Sequence, residues 1–174
     1  MSSEDIRDRH TCPYPGLRPF RQDEAELFFG RSEQVEAMLT KLETHRFLAV
    51  VGSSGCGKSS LVRAGLLPAL EEGYLSNAPP PWLIVDCGPG DAPLDRLAEA
   101  FLKAQPQEDQ AARPVEHAEA MLAATLRRGP LGLVEALRES HVADDANVLL
   151  LVDQFEELFR FRERAHAKSP ATEA

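Results

Sequence analysis

The chain has 174 residues, 43% of them hydrophobic, and carries 19 Lys and Arg against 28 Asp and Glu, a net charge of −9. That length and apolar content are enough for one folded domain with its own core and exclude a chain disordered throughout. The acidic balance sets the surface field against nucleic acid, so no direct nucleic-acid binding is expected and any phosphate site must be local.

In chain order, Met1 to His10 is polar and charged, without the apolar stretch of a secretory signal, and residues 1–12 read as a disordered lead. The segment Tyr14-Pro15-Gly16-Leu17-Arg18-Pro19-Phe20 is turn-rich yet apolar enough to be ordered. After Gly30-Arg31, Ser32 is placed to cap a helix running to about His45, with Val35, Met38, Leu39 and Leu42 on one buried face. Phe47 to Val51 is a short apolar run ahead of a glycine-rich loop and predicts a strand buried on both faces of a parallel sheet. A helix follows over Lys58 to Leu67, disturbed by Pro68, and Ala78-Pro79-Pro80-Pro81 stiffens the loop before a second strand, Trp82 to Cys87.

Gly88-Pro89-Gly90 closes that strand, and Asp91 is placed to cap a helix with Leu94, Leu97, Ala98, Phe101 and Leu102 on one face. Gln105 to Pro114 is a polar break. Two further helices span about Val115 to Arg127 and Leu131 to Ser140, divided by Gly129-Pro130. A third strand covers Asn147 to Asp153, helix resumes from Gln154 to Arg164 with Phe155, Leu158 and Phe159 on one side, and residues 165–174 read as a flexible tail. Strands alternating with helices predict an α/β fold with a mostly parallel sheet. The longest aliphatic run, Val148 to Val152, is far below the roughly 20 residues of a membrane-spanning helix.

The chemistry concentrates in Gly52-Ser53-Ser54-Gly55-Cys56-Gly57-Lys58-Ser59, a match to G-x-x-x-x-G-K-[ST] between a strand and a helix. Glycines let the backbone curl so that amide N–H groups face a phosphate chain at a helix N-terminus. Lys58 reaches the β- and γ-phosphates, the Ser59 hydroxyl supplies a magnesium ligand, and Ser60 starts the helix beside it. Val148-Leu149-Leu150-Leu151-Val152-Asp153, an aliphatic strand ending in a carboxylate, reads as a Walker B segment with Asp153 as the second magnesium ligand, direct or through water. Glu156 or Glu157 is then a candidate to polarise the water that attacks the γ-phosphate. An ordinary acidic first helical turn, favoured by the helix dipole, would account for one of that pair without chemistry.

Gly30-Arg31, Gly52 to Ser60 and Asp153-Gln154-Phe155-Glu156-Glu157 together resemble the STAND class of signal-transduction NTPases. The run Pro13 to Phe20, then Phe28-Phe29-Gly30-Arg31, then Ser59 to Pro68, is most similar to the bacterial novel STAND NTPase 1 group, over about Pro13 to Phe161. The resemblance implies a three-layer P-loop NTPase fold of the ASCE type, and a switch that exchanges ADP for ATP, self-associates and signals to sensor, repeat or effector domains of a longer chain. It also implies that Gly30 and Arg31 lie near the adenine and ribose, where the alternative is a plain helix N-terminal turn. Asp153, Glu156 and Glu157 are similar to the extended acidic Walker B of the NACHT branch. In such folds a further strand inserts between the Walker A and Walker B strands, so the NTPase domain, residues 13–164, is expected to be incomplete at its C-terminal side.

Alternatives are less economical. Gly52 to Cys56 nearly spells the nucleophile elbow G-x-S-x-G, but Cys56 takes the last glycine position. Cys56 itself departs from the usual small residue of the loop; it reads as a neutral filler, with an oxidation-sensitive thiol as the other reading. Three widely spaced cysteines, Cys12, Cys56 and Cys87, suggest no disulfide framework and fit a reducing, cytoplasmic compartment, and the five histidines show no H-E-x-x-H spacing. Gln154 stands where a generic AAA+ ATPase has glutamate, and a non-hydrolysing nucleotide-bound scaffold stays open as a non-enzymatic alternative.

Overall fold

A computed structural model describes residues 15–105, 115–139 and 146–160. The expected lead, the tail, the centre of the polar break and the far end of the last helix lie outside the described residues. The chain divides into two compact units, Met1–Pro80 and Pro81–Ala174.

In the first unit a 3-10 helix, Gln22–Leu27, follows the turn-rich lead-in. Arg18 grips Glu24 with both guanidinium arms at 2.6 and 2.7 Å, and the Arg21 N–H donates to the same carboxylate at 2.9 Å. These bonds hold Glu24 far below the usual carboxylate range, at about 2. The Phe20 and Phe28 rings meet edge to face at 5.6 Å. Helix α1 spans Ser32–Thr44 and buries the predicted face, with Met38 at its centre. Its cap differs from expectation: the N–H groups of Gln34 and Val35 both bond to the Arg31 carbonyl, which makes Arg31 the cap residue and takes Ser32 into the first turn.

Phe47 to Val51, expected as a strand, is assigned to no strand within the first unit. Leu48 and Val50 are half-buried, whereas Phe47 is 82% and Val51 91% exposed. Within the first unit the expected strand buried on both faces is therefore a segment with one sheltered and one open face, because that unit supplies no neighbouring strand to build a ladder.

Helix α2 opens as an α-helix at Lys58–Ser60, widens to a π-helix over Leu61–Leu66 and returns to α over Leu67–Glu71. Pro68 was expected to disturb a helix ending near it, yet the helix passes through. The widened turns, with Leu67 N–H bonding five residues back to Val62, relieve the clash a proline ring has with the carbonyl four residues before it. Gly73, at φ 83°, ends α2: its N–H reaches Leu70 O at 3.1 Å and the Tyr74 N–H reaches Ala69 O at 3.0 Å, a Schellman arrangement. Gly65 lets α2 approach α1, since a Cβ there would stand 2.7 Å from Val35 Cγ2.

In the second unit β1 (Trp82–Cys87) and β2 (Asn147–Val152) pair in parallel, in register from Trp82 with Asn147 to Cys87 with Val152. Among the described residues three helices lie between them in the chain: α3 (Pro93–Ala104), α4 (Val115–Leu126) and α5 (Gly132–Glu139). Leu83 and Val85 of β1 and Leu150 of β2 face a core of Ala98, Phe101, Leu122, Ala123, Leu126 and Ala136. Asp91 does not cap α3. Pro93, with φ preset for a first helical position, fixes the start, and Ala92 falls at the cap. The buried Thr125 hydroxyl donates to Glu139 at 3.0 Å, and Arg127 grips Asp95 at 2.6 and 2.7 Å, joining α4 to α5 and α3.

No helix among the described residues is long and apolar enough to cross a membrane.

Candidate functional site

The first unit contains the glycine-rich loop, exposed from Gly52 to Gly57. Gly55 (φ 76°) and Gly57 (φ 87°) are both left-handed, a conformation side-chain-bearing residues rarely take, so the curl is specified by these two glycines. The loop closes on itself through Cys56 N–H to Ser53 O at 3.4 Å, and α2 begins with Leu61 N–H on Gly57 O at 2.8 Å. Gly52 is needed for close approach: a Cβ there would meet Cys56 Sγ at 2.8 Å. Lys58 turns back over the loop, its ammonium donating to Gly52 O and Ser53 O at 3.0 Å each.

Around that loop the unit gathers further predicted residues. Gly30, left-handed at φ 77°, turns the chain into α1, and the Arg31 guanidinium donates to Cys56 O at 3.4 Å. The Ser60 hydroxyl accepts the Phe20 N–H at 3.1 Å, which fastens the lead-in to the start of α2. Ser59 is half-buried beside it and Ser54 is exposed in the loop. Nothing in the sequence announced the Phe20 to Ser60 link, because a backbone donor carries no side-chain signal.

The second unit contains the acidic segment. Asp153 follows β2 directly, and its N–H continues the ladder to Cys87 O at 3.0 Å. Helix does not resume at Gln154 as expected. Gln154 is left-handed at φ 58°, with its N–H on Asp153 Oδ1 at 3.0 Å, and helical geometry begins at Glu157. A carboxylate drawing in the next N–H favours a turn over a helix start.

The two glutamates are placed differently. Glu157 is half-buried and accepts the Gly90 N–H at 3.2 Å, whereas Glu156 is exposed with no side-chain partner among the described residues. Phe155 and Phe159 stack edge to face at 6.1 Å and stay exposed; Leu158 alone of the predicted apolar trio is half-buried. On β1, burial pushes the Cys87 thiol up, helped by the Asp86 charge, while Cys56 is an exposed thiol.

Among the described residues no group of three or more His, Cys, Asp or Glu could hold a metal ion. Ser59 lies in the first unit and Asp153 in the second, and each carries a hard oxygen of the kind magnesium accepts. Neither the curated proteins nor the solved structures include a match to this chain. The sequence model of the Novel STAND NTPase 1 family matches residues 13–172, and the chain belongs to that family.

Proposed function

We propose that the chain is the ATP- and ADP-binding part of a magnesium-dependent STAND signalling switch, built on the three-layer ASCE P-loop fold. The observation that carries this reading is the loop itself: left-handed Gly55 and Gly57 curl the exposed backbone at the start of α2, and the Lys58 ammonium lies over it. Amide dipoles converging at a helix start, with a lysine in reach, are what a triphosphate requires. On binding, Lys58 leaves the carbonyls of Gly52 and Ser53 for the β- and γ-phosphates, and amides from Ser53 to Ser60 hold the rest. Ser59 and Asp153 would hold magnesium, which supplies charge neutralisation at the phosphates. Glu156 or Glu157 orients the attacking water. Arg31, on Cys56 O beside the loop, and Gly30 are suited to the nucleoside side of the ligand.

As a switch, the domain would act in the cytoplasm, self-associate in the ATP state and signal to sensor, repeat or effector domains in a longer chain. Calorimetric titration with ATP and ADP tests the binding core. Lys58→Ala is expected to weaken triphosphate binding at least about 100-fold, since it removes a charge-assisted contact to the phosphates. Equal affinity in the variant and the parent chain would overturn the site assignment.

A further inference from the structure

The segment around Asp153 meets the end of β1 and the turn after it, and the Gln154 N–H donates to Asp153 Oδ1 at 3.0 Å, so the turn that follows Asp153 orients its carboxylate. The Asp153 N–H bonds Cys87 O at 3.0 Å, its own carbonyl lies 3.9 Å from where a Cβ of Gly88 would stand, and Glu157 reaches back to the Gly90 N–H at 3.2 Å. Between the first and last of these contacts the chain makes the left-handed step at Gln154, φ 58°. A side chain that bears a Cβ is held in that region only when its surroundings over-determine the backbone. The Glu157 to Gly90 bond closes the loop of contacts that does so: it joins the segment after β2 to residues 88–90, with Asp153 inside the bracket. The same bond engages one oxygen of the Glu157 carboxylate with an amide, whereas the Glu156 carboxylate faces solvent unengaged among the described residues.

We propose that Glu157 is a positioning residue, which sets the direction of the Asp153 carboxylate by accepting the Gly90 N–H, and that Glu156 alone of the pair faces the attacking water. The proposal rests on Asp153 being the magnesium ligand. It makes chemical sense of two adjacent glutamates with unequal burial. A magnesium ion demands near-ideal octahedral geometry and tolerates a misdirected carboxylate poorly, and groups that orient a ligand by hydrogen bonding to it tune affinity by about 10- to 100-fold in metal sites generally. What the role requires of residue 157 is an acceptor oxygen at the right reach, not a negative charge.

That requirement separates the two functions a glutamate could have here. The amide oxygen of Glu157→Gln still accepts the Gly90 N–H, Glu157→Ala cannot, and Glu157→Asp keeps the charge but falls one methylene short. Two readouts are made on the full chain: hydrogen exchange at the Gly90 amide without ligand, and ATP affinity with and without magnesium. Expected are faster Gly90 exchange and a magnesium-dependent gain in affinity reduced about tenfold in the Ala and Asp variants, with Gln within about threefold of the parent. Where turnover is measured, Glu156→Gln lowers kcat about 100-fold or more with affinity kept, the loss expected when a water-orienting base is removed. Unchanged Gly90 exchange and magnesium dependence in both the Ala and Asp variants overturns the proposal. So does a Gln variant as damaged in kcat as Ala with affinity intact, because that pattern marks a proton acceptor. Failure of the parent chain to bind ATP would sink the nucleotide reading instead, and Gly90 exchange still decides whether the bond holds the turn. Should the Ala variant unfold, the Asp variant carries the comparison.

Discussion

Single atoms decide several features. Gly132 opens α5 where that helix folds back on the end of α4, and a Cβ there would stand 2.6 Å from Leu126 O and 2.7 Å from Thr125 O. Both obstacles are backbone carbonyls, which cannot rotate aside as the tip of a side chain can. Replacing a helical glycine by alanine normally gains up to about 1 kcal/mol of propensity. Overpacking of this severity costs about 1–3 kcal/mol. Gly132→Ala is therefore expected to lower the chemical-denaturation midpoint, and a raised midpoint would show that α4 and α5 lie further apart. No pattern in the sequence marks Gly132 as a close-approach residue, since it falls in the first turn of the helix expected over Leu131 to Ser140.

At the level of elements, the lead-in is held by charge as well as by rings. Glu24 has its carboxyl held at about 2, against the ordinary 4.5, first by its hydrogen bonds from Arg18 and then by the Arg21 N–H. A depressed carboxylate contributes stability above its ordinary value and loses it as pH falls, so the hold on the 3-10 helix should weaken from about 4.5 and be gone below about 2. Carboxyl carbon NMR is expected to follow Glu24 titrating near 2 in the parent and towards 4.5 in Arg18→Ala. An unmoved midpoint would show that the arginine is not the cause. Elements with their own punctuation were legible from sequence: β1 between prolines and Gly88, the buried face of α1, the glycine loop. Phe47 to Val51 was not, because an apolar run states which surface a segment can bury, and neighbouring strands decide whether it does. Caps failed by a residue or two for a similar reason: Pro93 and the Arg31 carbonyl outrank nearby Asp91 and Ser32 in choosing where a helix begins. The Glu157 to Gly90 bond was invisible, since it arises from the meeting of segments far apart in sequence.

Towards other molecules, the segment of the first unit with Phe47 82% and Val51 91% exposed presents apolar surface of the sort that associates with partners. Phe47→Lys is expected to reduce concentration-dependent self-association in sedimentation velocity, and a distribution unchanged by it would place association elsewhere. A net charge of −9 adds a second whole-molecule constraint, for it repels a free triphosphate over the distances at which fields act. Attraction has to come from the loop at close range, and there the tether of Lys58 to Gly52 and Ser53 matters. Freezing backbone costs about 1–2 kcal/mol per residue, a sum that a flexible loop would subtract from every binding event. Here the lysine braces the cradle through Gly52 O and Ser53 O, so a ligand exchanges two hydrogen bonds and need not impose a shape. Affinity then depends on how well the ligand outbids two carbonyls for one ammonium, which favours polyanions that present oxygens at the spacing of a phosphate chain over single anions of equal charge.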